Sequence, residues 1–111
     1  MAKFKTIQGV FMITSKQRAE LRGISNKLEA IFQIGKGGVS PEFVKMVSEA
    51  LEKRELIKIS VLNNCATDTK EAASIISERT RSDVVQVMGK KITLFKRSDK
   101  YPVISEKLTK K

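Results

Sequence analysis

Residues 34–42 narrow the architecture more than any other stretch of this chain. An apolar run, Ala30-Ile31-Phe32-Gln33-Ile34, enters the turn Gly35-Lys36-Gly37-Gly38, and Ser40-Pro41-Glu42 leaves it. Serine at an N-cap, proline at the first helical position and glutamate at the second make a helix start. The chain therefore passes from a strand through a G-x-x-G turn straight into a helix, which is how a crossover onto a sheet begins. Glycine has no Cβ, so such a turn lets backbone N–H groups approach a phosphate. The helix start and Lys36 add positive charge. A sharp turn without any ligand explains the same glycines, so the turn alone leaves both readings open.

The remaining elements follow from periodicity and caps. A first helix is expected over about Ser15 to Lys27, capped by Thr14 or Ser15, with Leu21, Ile24 and Leu28 on one face and Arg18 and Arg22 beside it. Gly23 inside that helix suggests close packing or backbone access. The first strand is Ala30–Ile34. The second helix runs from Pro41 to about Lys53-Arg54, with Phe43, Val47, Ala50 and Leu51 as its apolar face. Glu55–Leu62 reads as a second strand, with Ile57, Ile59 and Val61 on one face and Lys58 and Ser60 on the other. Asn63–Thr67 is a loop. Asp68 and Glu71 have capping-box spacing ahead of a third helix, Thr69–Thr80, that buries Ala72, Ala73, Ile76 and Thr80. Asp83–Met88 and Lys91–Arg97 are strands joined by a tight Gly89-Lys90 turn, with Ile92 and Leu94 opposite Thr93 and Phe95.

The order α-β-α-β-α-β-β predicts a single α/β domain with three helices on a four-stranded mixed sheet. Residues 1–11 read as an N-terminal extension, because Met12 immediately precedes the first helical pattern. Residues 12–104 form the domain, and 105–111 form a basic tail expected to fray.

Charge narrows the partners. The 111 residues carry 22 Lys and Arg against 12 Asp and Glu, a net of +10. Residues 1–40 carry a net of +5, residues 41–80 a net of −1 and residues 81–111 a net of +6. A small domain this basic at both ends is expected to meet a polyanion. A single cysteine, Cys65, precludes an internal disulfide and fits a reducing compartment. No apolar run nears the ~18 residues that span a bilayer, and no signal peptide is recognisable. A cytoplasmic monomer without cofactor is expected.

Catalysis finds no support. The chain has no histidine, which removes imidazole metal sites and histidine-based triads. Cys65 lacks a base. The glycine turn is not a Walker A loop, since no Gly-Lys-Ser/Thr occurs there, and Gly-x-Gly-x-x-Gly is absent. The acidic residues read as cap partners and solvated groups. No catalytic or metal-ligating residue is assigned.

Nucleic acid fits better. The candidate contacts are Gly35, Lys36, Gly37 and Gly38 at the turn, Arg18 and Arg22 on the first helix, Lys58 on the second strand, and Lys90, Lys91, Lys96 and Arg97 on the last hairpin. Aromatics are few, and no strand carries an exposed-looking pair for stacking bases. Recognition should lean on phosphates, shape and 2′-OH groups. KH domains clamp a single strand with a G-x-x-G loop between two helices, whereas this turn joins a strand to a helix.

Several stretches, taken in order, resemble one family. They are Leu21-Arg22-Gly23-Ile24, Ile34 through Ser40, Ala50-Leu51-Glu52-Lys53-Arg54-Glu55-Leu56-Ile57-Lys58-Ile59, Gln86-Val87-Met88-Gly89-Lys90 and Leu94-Phe95-Lys96-Arg97. The chain resembles the CRM domain over about residues 12–104, and within that family the bacterial stand-alone YhbY-type proteins. The resemblance implies a fold similar to the C-terminal domain of translation initiation factor three. It also implies RNA binding and association with precursor large ribosomal subunits; plant relatives act in group II intron splicing. Three positions depart from the family pattern. Ser25-Asn26 follow Ile24 where Ala-His is common, Arg54 stands where His often precedes Glu-Leu-Ile-Lys, and Phe95 stands where Tyr is common. None lies in the glycine turn. The expectation is therefore an RNA-binding protein of large-subunit assembly that contacts the backbone and phosphates of rRNA. The alternative is a general single-stranded nucleic-acid regulator with no tie to the ribosome.

Overall fold

A computed structural model describes residues 13–65, 67–98 and Ile104. The expected N-terminal extension and basic tail, and Tyr101-Pro102-Val103, lie outside the described residues. Seven elements run in the expected order: α1 (Ser15–Ser25), β1 (Phe32–Ile34), α2 (Pro41–Arg54), β2 (Leu56–Val61), α3 (Thr69–Thr80), β3 (Asp83–Met88) and β4 (Lys91–Phe95). The four strands form one mixed sheet in the order β1-β2-β4-β3. β1 and β2 are parallel, and the other two pairs are antiparallel. β4 occupies the interior position because Ile92, Thr93, Leu94 and Phe95 are all buried and need cover on both faces. β3 takes an edge and leaves Met88 exposed.

The two faces of the sheet are covered unequally. On one, Phe43, Val47 and Leu51 of α2 and Ala72, Ala73 and Ile76 of α3 pack on Ile34, Ile57, Ile59, Val61, Ile92 and Leu94. Phe32 meets Phe43 edge-on, with ring centroids 5.9 Å apart. On the other face α1 is the one helix among the described residues. Leu21, with Ile24 and Leu28, covers Leu56, Val85 and Phe95. Each large side chain so buried contributes about 1.5–3 kcal/mol.

The caps explain where the helices begin. Thr14 and Gln17 exchange bonds of 3.0 Å as a capping box on α1, and Ser40 Oγ accepts from Phe43 N–H at 3.1 Å. Asp68 caps α3 through the N–H of Lys70 at 3.2 Å, not through the expected exchange with Glu71. Several boundaries are shorter than the sequence pattern suggests. α1 stops at Ser25, whose hydroxyl turns back to the carbonyl of Arg22 at 2.9 Å. β1 begins at Phe32 and pairs only with the Ile59–Val61 stretch of β2, so Ala30 stays outside the ladder. β4 ends at Phe95, opposite Leu56, the first residue of β2. Nothing lies within 4 Å of a Cβ built on Gly23, so of the two expectations there, close packing or backbone access, close packing is not found.

Two residues depart most from the sequence reading. Glu55 does not open β2. It ends α2 with a left-handed φ of 66°, donates its N–H to the carbonyl of Leu51 at 2.8 Å, and is 0 % exposed. Arg18, a candidate contact beside the apolar face of α1, donates its guanidinium to the carbonyl of Val84. A bulge between Val84 and Gln86 breaks the β3–β4 ladder there, and Arg18 serves the carbonyl at that break.

Candidate nucleic-acid interface

Two backbone hydrogen bonds assemble one end of the sheet. Leu62 N–H donates to the carbonyl of Ile34 at 2.9 Å, and Val61 N–H donates to the carbonyl of Lys90 at 2.7 Å. They bring the Gly35–Gly38 turn, the connection after β2 and the Gly89-Lys90 turn to a common edge. Because β1 and β2 run parallel, α2 and α3 both begin at that end. Their N-terminal dipoles therefore add to the same side of the molecule.

The glycine turn is closed by Gly38 N–H donating to the carbonyl of Gly35 at 3.0 Å. Gly38 has a φ of 68°, which an L side chain adopts only at a cost. The closure narrows what the turn can offer, since the Gly38 N–H is already used. Among the described residues the N–H groups of Lys36 and Gly37 find no hydrogen-bond partner, and both residues are exposed. Asn64 Oδ1 lies 3.7 Å from a Cβ built on Gly35, and Thr67 Oγ1 lies 4.0 Å from one on Gly38. These two polar residues line the turn, in a stretch whose sequence pattern marks only a loop. No local pattern marks them, because they reach the turn through the β1–β2 pairing.

The register sorts the basic residues on the sheet. Opposed residues on neighbouring strands share a face. Gln33, Ser60, Lys91 and Met88 therefore form one row across all four strands at the turn end. Lys58, Thr93 and Gln86 form the next row, and Leu56, Phe95 and Asp83 the row beneath α1. Lys58 and Lys91 thus sit one row apart on the same face, with Lys58 half-buried and Lys91 exposed. Lys36 and Lys90 are exposed at the adjoining edge.

Four other candidates are not brought into this group. Lys96 and Arg97 follow β4 at the opposite end of the sheet, where Lys96 N–H donates to the carbonyl of Glu55 at 2.8 Å. Five residues of strand separate Lys96 from Lys91, about 17 Å. Arg18 is engaged at Val84, and Arg22 is exposed one turn further along α1. Beside Arg18, burial raises the Asp83 carboxyl from 3.8 to about 6, with the Arg18 charge pulling the other way. Among the described residues no group of three or more His, Cys, Asp or Glu is placed to hold a metal ion. No described helix is long and apolar enough to cross a membrane.

Comparison with known proteins places the chain in a family. The model of the CRS1 / YhbY (CRM) domain matches residues 13–96, from the residue before the α1 cap to the residue after β4. The chain belongs to the CRM domain family. This CRM domain is 47% identical over 87 residues to the Bacillus subtilis probable RNA-binding protein YqeI, covering 78% of this chain and 91% of that one. It is 33% identical over 98 residues to the probable RNA-binding protein MJ0652 of Methanocaldococcus jannaschii, covering 86% and 72%. Among solved structures it is similar to the solution structure of the hypothetical Staphylococcus aureus protein SAV1595, which carries an RNA-binding label. The TM-score is 0.69 at 45% identity, covering 79% of this chain and 92% of that one. The CRM match begins and ends with the folded elements, so the glycine turn, the Glu55-Leu56-Ile57-Lys58 run and the Gly89-Lys90 turn all lie inside it.

Proposed function

We propose that this protein is a non-catalytic, monomeric, cytoplasmic RNA-binding protein that acts on large-subunit rRNA in precursor ribosomal particles. Residues 12–104 are its working domain, with 1–11 an extension and 105–111 a basic tail. The observation that carries the reading is the meeting of the glycine turn with the Gly89-Lys90 turn at one end of the sheet. There the unbonded N–H groups of Lys36 and Gly37 would receive a phosphate oxygen, and the Lys36 ammonium would pair with its charge. Lys58, Lys90 and Lys91 would follow the backbone onward. Arg22, Lys96 and Arg97 would add contacts only to a strand long enough to wrap the domain, and Arg18 would contribute through its hold on β3. The RNA-binding names of the relatives support the class of partner.

The test is Lys36→Glu. The variant should fold normally, because Lys36 is exposed, and should lose at least tenfold in affinity for rRNA fragments. Unchanged affinity in the folded variant rejects the site. Sucrose-gradient sedimentation of the tagged protein tests the ribosomal role. Co-migration with large-subunit precursors is expected, whereas free protein would favour a general single-stranded nucleic-acid regulator. Retention on mature subunits in moderate salt would instead mark a permanent ribosomal protein.

A further inference from the structure

The unequal cover of the sheet leaves a strip that α1 does not reach. α1 packs on the row of Leu56 and Phe95. Thr93, in the next row, is 1 % exposed, so cover extends that far. Beyond it, in the row Gln33–Ser60–Lys91–Met88, Gln33 and Lys91 are exposed, Ser60 is half-buried and Met88 is 60 % exposed. An exposed methionine on an edge strand, in line with an amide, a hydroxyl and an ammonium, contributes nothing to the core. The strip also runs directly into the proposed phosphate site. Gln33 lies two residues before Gly35, and Met88 and Lys91 flank the Gly89-Lys90 turn.

We infer that this strip is a base-reading surface for single-stranded RNA, resting on the reading that the glycine turn binds the RNA backbone. With the phosphate held at Lys36 and Gly37, the strand crosses the row with its bases toward the sheet. Met88 offers an apolar, polarisable face to a base plane. Gln33 and Ser60 offer donors and acceptors to base edges, which are accessible only when unpaired. Lys91, with Lys58 one row behind, neutralises the backbone between them. The row spans three strand spacings, about 14 Å, which suits a short run of nucleotides and not the face of a duplex. The positive charge of the strip favours RNA over an apolar protein partner, for which one exposed methionine makes too small a patch.

The experiment compares binding of the full chain to short homopolymeric RNAs of A, C and U and to a hairpin duplex, over a range of salt. Wild type should prefer the single strands and rank the homopolymers. Gln33→Ala combined with Met88→Ala should flatten that ranking by about tenfold. The dependence on salt, set by the lysines, should persist. Lys36→Glu should do the reverse, lowering affinity for every RNA and reducing the salt slope by about one while keeping the ranking. Both variants alter exposed side chains, and thermal melting checks that they fold. Equal binding of duplex and single strand, or an unchanged ranking in the folded double variant, overturns the inference and leaves the phosphate site standing. Failure of wild type to bind any of these RNAs overturns both readings.

Discussion

The carboxylate of Glu55 accepts the backbone N–H of Ile104, 49 residues further along the chain, at 2.7 Å. Its other oxygen accepts the N–H of Ser98 at 2.6 Å. One buried acid at the end of α2 therefore fastens the segment that follows β4, and Ile104 completes the small apolar cluster under α1. Charge-assisted bonds to backbone N–H groups offset the cost of burying the carboxylate. The same residue closes α2 and receives Lys96 N–H on its carbonyl, so the end of α2, the end of β4 and Ile104 meet at one position.

Glu55→Ala should lose about 2 kcal/mol, because it removes one buried and one part-buried hydrogen bond to the carboxylate. Urea unfolding measures the loss. Limited proteolysis should also cut beyond Arg97 more rapidly than in wild type. A variant of unchanged midpoint and unchanged cleavage would show that the carboxylate does not fasten this segment.

Asp83 gives stability a pH dependence of definite sign. Its folded-state value of about 6 lies above the ordinary 3.8, so the folded protein keeps a proton that the unfolded chain has already released. Stability from this residue therefore falls as pH rises from about 4 to about 6 and stays low above that window. Asp83→Asn should gain about 1 kcal/mol at neutral pH, the partial exposure of the carboxyl screening the effect, and little near pH 4. Denaturant midpoints at the two pH values decide it. An equal effect at both would contradict the assignment to burial.

The glycines should separate by role. Gly38→Ala imposes a side chain on a left-handed φ of 68° and should cost about 1 kcal/mol. Nothing lies within 4 Å of a Cβ on Gly37, and its φ is not in the left-handed region, so Gly37→Ala should leave stability unchanged. Any loss of RNA affinity in that variant then reports on approach of a ligand to the turn. Gly23→Ala, inside α1 with open space around it, should gain about 0.5–1 kcal/mol. Thermal melts of the three variants test the ordering.

The two ends of the sheet should contribute unequally to binding. Lys90→Glu with Lys91→Glu removes charge beside the glycine turn and should weaken RNA binding by more than tenfold at low salt. Lys96→Glu, at the far end of β4, should weaken it less for a short RNA. Equal losses would show that the strand runs the full length of the domain.

Local signals in the sequence were enough for the α/β class, the order of seven elements, the inward faces of α2 and α3, and the glycine turn. A cap such as Ser40 with Pro41, or the alternation of Ile57, Ile59 and Val61, acts over a few residues and is legible wherever the chain goes. CRM membership was also legible, because its motifs are short runs. Strand order was not, since the placing of β4 between β2 and β3 depends on which strand needs cover on both faces. Nor was the division of the basic residues. Lys90 and Lys96 are close in sequence, but an extended strand carries them to opposite ends of the sheet, while the Val61–Lys90 bond brings Lys90 to the edge that holds Lys36. The roles of Arg18 and Glu55 were hidden for the same reason. Each charge is defined by a backbone group far along the chain, at Val84 and at Ile104, and only folding sets those pairs at hydrogen-bond distance.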